Sequence, residues 1–186
     1  MSFKIKGIFF DLTRVIQLDP YPVWFFISDL KYMVKPGVSR QIFLDNEEEQ
    51  KKDSVNISPE LKKEILHYLR FKKRTNWQLV RVIEQLAKNY KIGIISNHGP
   101  KLEQRIKEKM GINHQFDAVI SSGDWGVEKP NSKIYQIALE KINLKPQDLI
   151  YIDDNSNYVA VAESLGMKGI VYKNLNQLLK ELSFLK

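Results

Sequence analysis

The hydrophobic positions of the chain form five short runs that are typical of buried strands, separated by segments in which apolar residues recur at helical spacing. The runs are Ile5–Phe10, Ile92–Ile95, Asp117–Ile120, Leu149–Ile152 and Gly169–Tyr172. Strands covered by helices on both faces show continuous rather than alternating apolar stretches. The pattern therefore predicts an α/β fold, a three-layer Rossmann-like parallel sheet with helices on both faces.

Helical spacing indicates the elements that connect these strands. Leu79, Ile83 and Leu86 share one face of a helix that begins near Asn76. Because glycine readily adopts the left-handed conformation at helix ends, Gly111 and Gly166 indicate where two further helices end. The predicted helices are 76–90, 100–110, one marked by Ile134, Ala138 and Ile142, 156–165 and 174–185.

The alternation of strand and helix is interrupted by residues 14–75. This stretch holds an aromatic segment, Tyr21–Ile27, a charged segment, Glu47–Asp53, and a helix start at Ser58-Pro59. It contains no strand-like run. We interpret residues 15–75 as a small helical insertion after the first strand, and residues 1–14 with 76–186 as the core.

Composition narrows the classes of protein. The 186 residues are 43% hydrophobic and include no cysteine, which excludes disulfides, thiolate nucleophiles and cysteine-ligated zinc. No apolar run approaches the roughly 20 residues that span a bilayer, so we expect a cytoplasmic protein with no membrane partner. The net charge of +7 favours anionic ligands. The lysines are scattered and accompany no nucleic-acid-binding motif, so no nucleic-acid partner is expected.

Polar residues follow three of the predicted strands. Asp11 follows the first, Ser96 the second, and the pair Asp153-Asp154 the fourth. Ligands of an open parallel sheet bind beyond the carboxyl ends of its strands, where the strand order reverses. If the first strand is central, these groups converge, and Lys129 in the loop Gly126–Pro130 can reach over the same edge.

The residue types suit phosphoryl transfer. A carboxylate such as Asp11 can attack phosphorus and form an acyl phosphate. Mg²⁺, bound by Asp11 and Asp154 with help from Asp153, would offset the repulsion between nucleophile and phosphate. Ser96 can donate a hydrogen bond to a phosphoryl oxygen, and Lys129 adds positive charge.

Each residue alone has a simpler interpretation. An aspartate after a strand is more often a turn or helix-cap residue, and a lone lysine is more often solvated. The adjacent pair Asp153-Asp154 is harder to explain in this way, because two carboxylates at a buried strand end repel unless a cation lies between them. The argument therefore depends on all four segments occurring together.

Four segments resemble the motifs of the haloacid dehalogenase superfamily. Ile8–Leu12 resembles the first, Gly93–Asn97 the second, Gly126–Pro130 with Lys133–Tyr135 the third, and Tyr151–Asn155 with Leu165–Met167 the fourth. The resemblance covers nearly the whole chain and implies a core of this superfamily with a helical cap, residues 15–75, that closes over the substrate and sets specificity.

The resemblance also implies roles. Asp11 is the nucleophile, Ser96, Asn97 and Lys129 bind the substrate phosphate, and Lys129 balances charge. Mg²⁺ is held by Asp11, Asp154 and the backbone carbonyl of Thr13, with Asp153 close by. The implied activity is hydrolysis of a small phosphorylated metabolite through an aspartyl-phosphate intermediate, in a monomer or homodimer.

Two positions depart from the superfamily pattern. Thr13 replaces a second aspartate that usually acts as general acid and base, and Arg14 replaces a glycine whose freedom permits a tight turn. His98 is a candidate proton shuttle, although a loop histidine is the simpler interpretation.

Two alternative functions therefore stay open: a metal-independent 2-haloacid dehalogenase, and a catalytically weak binding or regulatory protein. The acidic pair argues against the dehalogenase, because it would repel a carboxylate substrate.

Overall fold

The computed structural model describes residues 4–18, 58–60, 63–64 and 74–185. The chain divides into two compact units, Met1–Leu18 with Thr75–Lys186, and Asp19–Arg74. Within the second unit, residues 59–60 and 63–64 are helical. The aromatic and charged segments of the predicted cap lie outside the described residues, so the helical cap stays a prediction.

The first unit contains a five-stranded parallel sheet. Its strands are β1 (Gly7–Phe10), β2 (Lys91–Ser96), β3 (Ala118–Ser121), β4 (Leu149–Asp153) and β5 (Lys168–Val171). Their spatial order is β3-β2-β1-β4-β5, and every neighbouring pair is parallel. This order confirms the predicted α/β fold and the central place of the first strand.

The strand register places the polar ends of β1, β2 and β4 within one residue of the same level. Phe10 pairs with Ile94 of β2 and with Ile152 of β4. The residues that follow these positions therefore leave the same edge of the sheet. The backbone N–H of Asp11 donates to the Ile152 carbonyl at 2.8 Å, which holds the start of the first loop against β4.

Six α-helices are described in the first unit, together with one 3-10 helix, Pro146–Asp148. The α-helices are α1 (Trp77–Leu86), α2 (Leu102–Arg105), α3 (Ser122–Trp125), α4 (Ser132–Ile142), α5 (Ser156–Ser164) and α6 (Leu175–Glu181). A π-helical turn, Ile106–Met110, continues α2 up to Gly111, whose φ of 73° ends it as predicted. The short helix α3 was not predicted, and α6 ends before the predicted residue 185. Within the described ranges, no helix has the length and apolarity needed to traverse a bilayer.

Two hydrophobic clusters cover opposite faces of the sheet, which makes three layers. Side chains of α1, α2 and α6 pack with Ile8 and Phe10 on one face. Side chains of α4 and α5 pack with Phe9 and Tyr151 on the other. Val15 and Ile16, which the sequence analysis placed in the insertion, are fully buried in the first cluster. The first unit accordingly runs to Leu18, beyond the predicted boundary at residue 14.

Candidate active site

A cavity of about 220 Å³ lies at the level carboxyl ends of β1, β2 and β4. The loop before α4 closes one side of it. The cavity is lined by Asp11, Thr13, Arg14, Ser96, Asn97, Lys129, Asp154, Asn155 and Tyr158. Of the site residues that the superfamily resemblance implied, all but Asp153 are in this lining, and Asp153 lies directly behind it, bonded to Lys129.

Lys129 is the buried cation of the site. Its side chain is 1% exposed, and Nζ donates to Asp11 Oδ1 at 2.7 Å and to Asp153 Oδ2 at 2.6 Å. Nζ also donates to the Ile95 carbonyl at 3.1 Å. A buried ammonium is tolerated only when it is paired and hydrogen-bonded. The buried ammonium of Lys129 therefore depends on the two carboxylates. In turn, it offsets part of the negative charge around Asp11.

Tyr151 extends this network behind the cavity. Its hydroxyl oxygen lies 3.1 Å from Lys129 Nζ, and its O–H donates a hydrogen bond to Asp153 Oδ2 at 2.5 Å. Burial, with the nearby charge of Asp153, raises the pKa of Tyr151 well above its usual value, so the hydroxyl stays protonated as a donor. Asp153 Oδ1 accepts the backbone N–H of Asn155. Both oxygens of Asp153 thus have donors, which favours a role in positioning Lys129.

The chemistry of the donor set fits a hard divalent cation. Carboxylate oxygens of Asp11, Asp153 and Asp154 all lie within 4.8 Å of one another. Burial raises the pKa of Asp11; the Lys129 ammonium opposes this shift and the Asp153 charge adds to it. Burial and then the Asp153 charge raise the pKa of Asp154. A bound cation would stabilise the ionised forms of these crowded carboxylates, which are otherwise disfavoured. Mg²⁺ prefers carboxylate oxygens as ligands.

The Ser96 hydroxyl is a buried donor beside the carboxylates. Its oxygen is inaccessible to solvent, and no described residue accepts or donates a hydrogen bond to it with good geometry. It lies close enough to Asp11 to favour the ionised carboxylate. Buried hydroxyls are usually satisfied, so this one is well placed to donate to a ligand oxygen in the cavity.

Asn97 holds the loop that carries Lys129. Its Oδ1 accepts the backbone N–H of Lys129 at 2.8 Å, and its Nδ2 donates to the Lys129 carbonyl at 2.9 Å. The side chain thus makes both of these bonds to one residue of the loop. The sequence suggested phosphate binding for Asn97, whereas this geometry supports a positioning role.

Replacing Asn97 with alanine should destabilise the protein and slow catalysis. The Asn97→Ala variant leaves two backbone groups of Lys129 without partners, which costs about 1–3 kcal/mol, and Lys129 is then less firmly held. Urea unfolding gives the loss of stability, and Asn157→Ala, at an exposed helical position, is the matched control. If Asn97→Ala and the wild type unfold at the same midpoint urea concentration, these bonds contribute little to stability.

Comparison with known proteins shows which family the chain belongs to. A model of the haloacid dehalogenase-like hydrolase family matches residues 37–172, which is well over half of the chain. The chain belongs to this family. The resemblance seen in the sequence is thereby confirmed, and this family member has the fold and the strand-end aspartates that its motifs predicted.

Curated relatives and solved structures match this hydrolase over different fractions of its length. It is 35% identical to the glyceraldehyde 3-phosphate phosphatase of Methanothermobacter thermautotrophicus over 92 residues, 48% of this chain and 40% of the relative. The match thus spans less than half the length of that relative. A Bacteroides thetaiotaomicron enzyme of the family, solved with magnesium and inorganic phosphate, is 18% identical with a TM-score of 0.57, covering 94% and 98% of the two chains. A 2-haloacid dehalogenase from Pseudomonas syringae is 17% identical with a TM-score of 0.58, covering 92% and 90%. These two likenesses show the fold.

The two departures from the family pattern both line the cavity. Thr13 is exposed and has no carboxyl group to act as a proton donor. Arg14 has φ of 64°, in the left-handed region that glycine adopts more readily, and its N–H donates to the Gln17 carbonyl. Arg14 Nη1 lies 3.4 Å from Asp154 Oδ2. His98 lies in the loop after β2 and is absent from the lining that the described residues form.

The sequence analysis missed two aromatic residues of the site, Tyr151 and Tyr158. Lys129 Nζ lies 4.9 Å from the centre of the Tyr158 ring, which also lines the cavity. A tyrosine within a fully buried strand needs a partner for its hydroxyl. That requirement was the available signal for Tyr151, while nothing in the sequence distinguished Tyr158 from a helix surface residue.

Proposed function

We propose that this hydrolase is a Mg²⁺-dependent phosphohydrolase that acts on a small phosphate monoester through an aspartyl-phosphate on Asp11. The observation that carries the proposal is the pairing of buried Asp11 with Lys129 beside a second carboxylate, Asp154, and the buried Ser96 hydroxyl. The phosphatase among the curated relatives supports the choice of a phosphate ester. The cytoplasmic location stays a prediction.

In the proposed reaction the Asp11 carboxylate attacks phosphorus, a new O–P bond forms, and the ester O–P bond breaks. Ser96 donates to a phosphoryl oxygen, and Lys129 offsets the negative charge of Asp11 as the dianion approaches. Bound Mg²⁺, held by Asp11 and Asp154 with the Thr13 carbonyl, would lower the remaining repulsion. Water then attacks phosphorus, releases phosphate and restores the carboxylate.

With threonine at position 13, no side chain there can act as the general acid that protonates the departing alcohol. The threonine hydroxyl cannot give up a proton near neutral pH as a carboxyl group does, so solvent protonates the departing oxygen. Esters of poorly acidic alcohols should therefore react slowly, whereas aryl phosphates, whose leaving groups need no proton, should react faster. This expected rate pattern distinguishes the enzyme from relatives that carry an aspartate at this position.

Restoring the carboxyl group should accelerate the slow class of substrates. We expect Thr13→Asp to raise kcat on an alkyl phosphate by about 10- to 100-fold and to raise it far less on p-nitrophenyl phosphate. Thr13→Asn is the control, because asparagine has the shape of aspartate but no carboxyl group that could donate a proton. Equal gains on both esters, or no gain on either, would mean that proton supply does not limit the reaction.

A screen of small phosphate monoesters with Mg²⁺ and with chelator tests the proposal as a whole. Phosphate release that requires Mg²⁺ supports it. Chloride release from 2-chloropropionate without metal would instead support the dehalogenase alternative. Binding of Mg²⁺ and phosphate without turnover of any ester would support a binding or regulatory protein, an alternative that Thr13 and the Arg14–Asp154 contact favour.

A further inference from the structure

The Lys129 ammonium lies next to the cavity but is shielded from solvent. Its N–H groups donate to Asp11 at 2.7 Å, to Asp153 at 2.6 Å and to the Ile95 carbonyl at 3.1 Å. Lys129 belongs to the cavity lining, yet its side chain is only 1% exposed. Asp153, Ile95 and Tyr151 do not belong to the lining that the described residues form. The shielding on the side of the cavity must therefore come from groups of the lining itself.

Tyr158 is the aromatic residue of this lining, and its ring lies beside the ammonium. The centre of the ring is 4.9 Å from Lys129 Nζ, which is within the range of a cation–π contact. The ring centre of Tyr151 is farther from Nζ, at 5.8 Å, and lies behind the cavity. Among the lining residues, Asp11 and Tyr158 thus both line the cavity and contact the ammonium.

The backbone of Tyr158 is held in place from two sides. Tyr158 is the third residue of α5, and its N–H donates to the Asn155 carbonyl at 3.0 Å. Its carbonyl accepts a hydrogen bond from the Tyr135 hydroxyl at 2.9 Å. Tyr135 is fully buried and packs edge-to-face against Tyr151, with ring centres 5.3 Å apart. The position of the Tyr158 ring over the cavity is therefore fixed by the buried layer behind it.

We propose that the Tyr158 ring covers the Lys129 ammonium and keeps water away from its ion pair with Asp11. The attraction between two charges is weaker where water reaches them, and electrostatic stabilisation of a transition state is strongest in a water-excluded site. An aromatic ring excludes water and also attracts the cation through its π face. Tyr158 is thus a positioning residue that acts on the reaction through Lys129. The catalytic part of this inference rests on the proposed function.

Chemical labelling of lysines tests the cover without any need for activity. Acetic anhydride acylates accessible amines, and mass spectrometry gives the rate at each lysine. We expect Lys129 to react at least about tenfold faster in Tyr158→Ala than in the wild type, while exposed Lys133 reacts equally in both. Tyr158→Phe should restore the protection, because the ring is back in place. Equal rates at Lys129 in the wild type and in Tyr158→Ala would overturn the inference.

The same variants test the consequence for catalysis. At saturating Mg²⁺, kcat of Tyr158→Ala on p-nitrophenyl phosphate should fall by about tenfold, and Tyr158→Phe should recover most of this loss. The loss should appear in kcat, because the ammonium offsets the charge that Asp11 and the phosphoryl group bring together in the transition state. A higher KM with unchanged kcat would show that the ring contacts substrate instead, and would overturn the inference. An equally large loss of kcat in Tyr158→Phe would also overturn it.

Phe184→Ala is the matched control for the loss of an aromatic ring beside a lysine. The exposed Phe184 ring has its centre 3.7 Å from Lys168 Nζ, and neither residue lines the cavity. This variant should change neither kcat nor the labelling of Lys129. Thermal unfolding checks that Tyr158→Ala is folded; if it is not, Tyr158→Leu takes its place with the same expectations. If the wild type hydrolyses no ester, the proposed function fails, and the labelling of Lys129 still decides whether Tyr158 covers it.

Discussion

The Asp11→Asn protein should release no measurable phosphate from any ester that the wild type hydrolyses. The amide keeps the shape of the side chain and an oxygen that can accept from Lys129, but its neutral oxygen cannot attack phosphorus or bind a cation strongly. We expect a loss of about 10⁴-fold or more in kcat. The loss should be the same for aryl and alkyl phosphates, because both depend on the same nucleophile.

Asp148→Asn is the matched control for Asp11→Asn. Asp148 pairs with exposed Lys6. It precedes β4, at the end of that strand opposite to the cavity, and is not in the lining. Loss of its charge should therefore leave kcat within about twofold of the wild type. Thermal unfolding should show that Asp11→Asn is folded, since Asp11 is crowded by Asp153 and its ionised form is disfavoured. Substantial turnover by Asp11→Asn would remove the aspartyl-phosphate mechanism.

The Lys129→Met protein should be both inactive and markedly less stable. The variant leaves Asp11 and Asp153 buried without their shared cation, and removing one partner of a buried ion pair costs about 3–5 kcal/mol. The charge that offsets the nucleophile is also lost, which should lower kcat by about 10³-fold or more. Urea unfolding and phosphate release measure the two effects separately.

The destabilisation of Lys129→Met should depend on pH in a defined direction. A buried carboxyl group whose folded-state pKa is raised stabilises the fold while protonated and loses that contribution as pH rises through the raised pKa. Burial already raises the pKa of Asp11, and loss of Lys129 should raise it further. The stability gap to the wild type should therefore be smaller at pH 5 than at pH 8.

Two further variants check the cause of that instability. Adding Asp153→Asn to Lys129→Met removes one uncompensated charge and should recover part of the stability. Lys180→Met, at an exposed position of α6, should change neither stability nor activity. A Lys129→Met protein that unfolds at the wild-type urea concentration would show that the buried ammonium is not needed to offset these carboxylates.

The fold could be predicted because helices cover the central strands on both faces. Burial on both faces makes β1 and β4 continuous apolar runs, which are visible in a single sequence. Their polar successors, Asp11 and Asp153-Asp154, had to meet once β1 was central, because parallel strands end at one edge. The approximate position of Lys129 followed from the same geometry.

The contacts inside the site could not be predicted in the same way. The sequence cannot show that the Asn97 amide binds both backbone groups of Lys129, since that pairing depends on how the α4 loop folds over β2. Tyr151 resembled an ordinary strand residue until its hydroxyl was placed against Asp153. Arg14 was recognised as an unusual residue for its turn, but its approach to Asp154, 140 positions away, is a property of the folded chain alone.

Trapping the covalent intermediate tests the central claim most directly. The protein is quenched in acid during turnover of an aryl phosphate, reduced with borohydride, digested and analysed by tandem mass spectrometry. Because borohydride reduces an aspartyl-phosphate to homoserine with loss of phosphate, the account predicts homoserine in place of Asp11, present only when Mg²⁺ and the ester are both supplied. Phosphate release with no modification, or with the modification on a different residue, would contradict it.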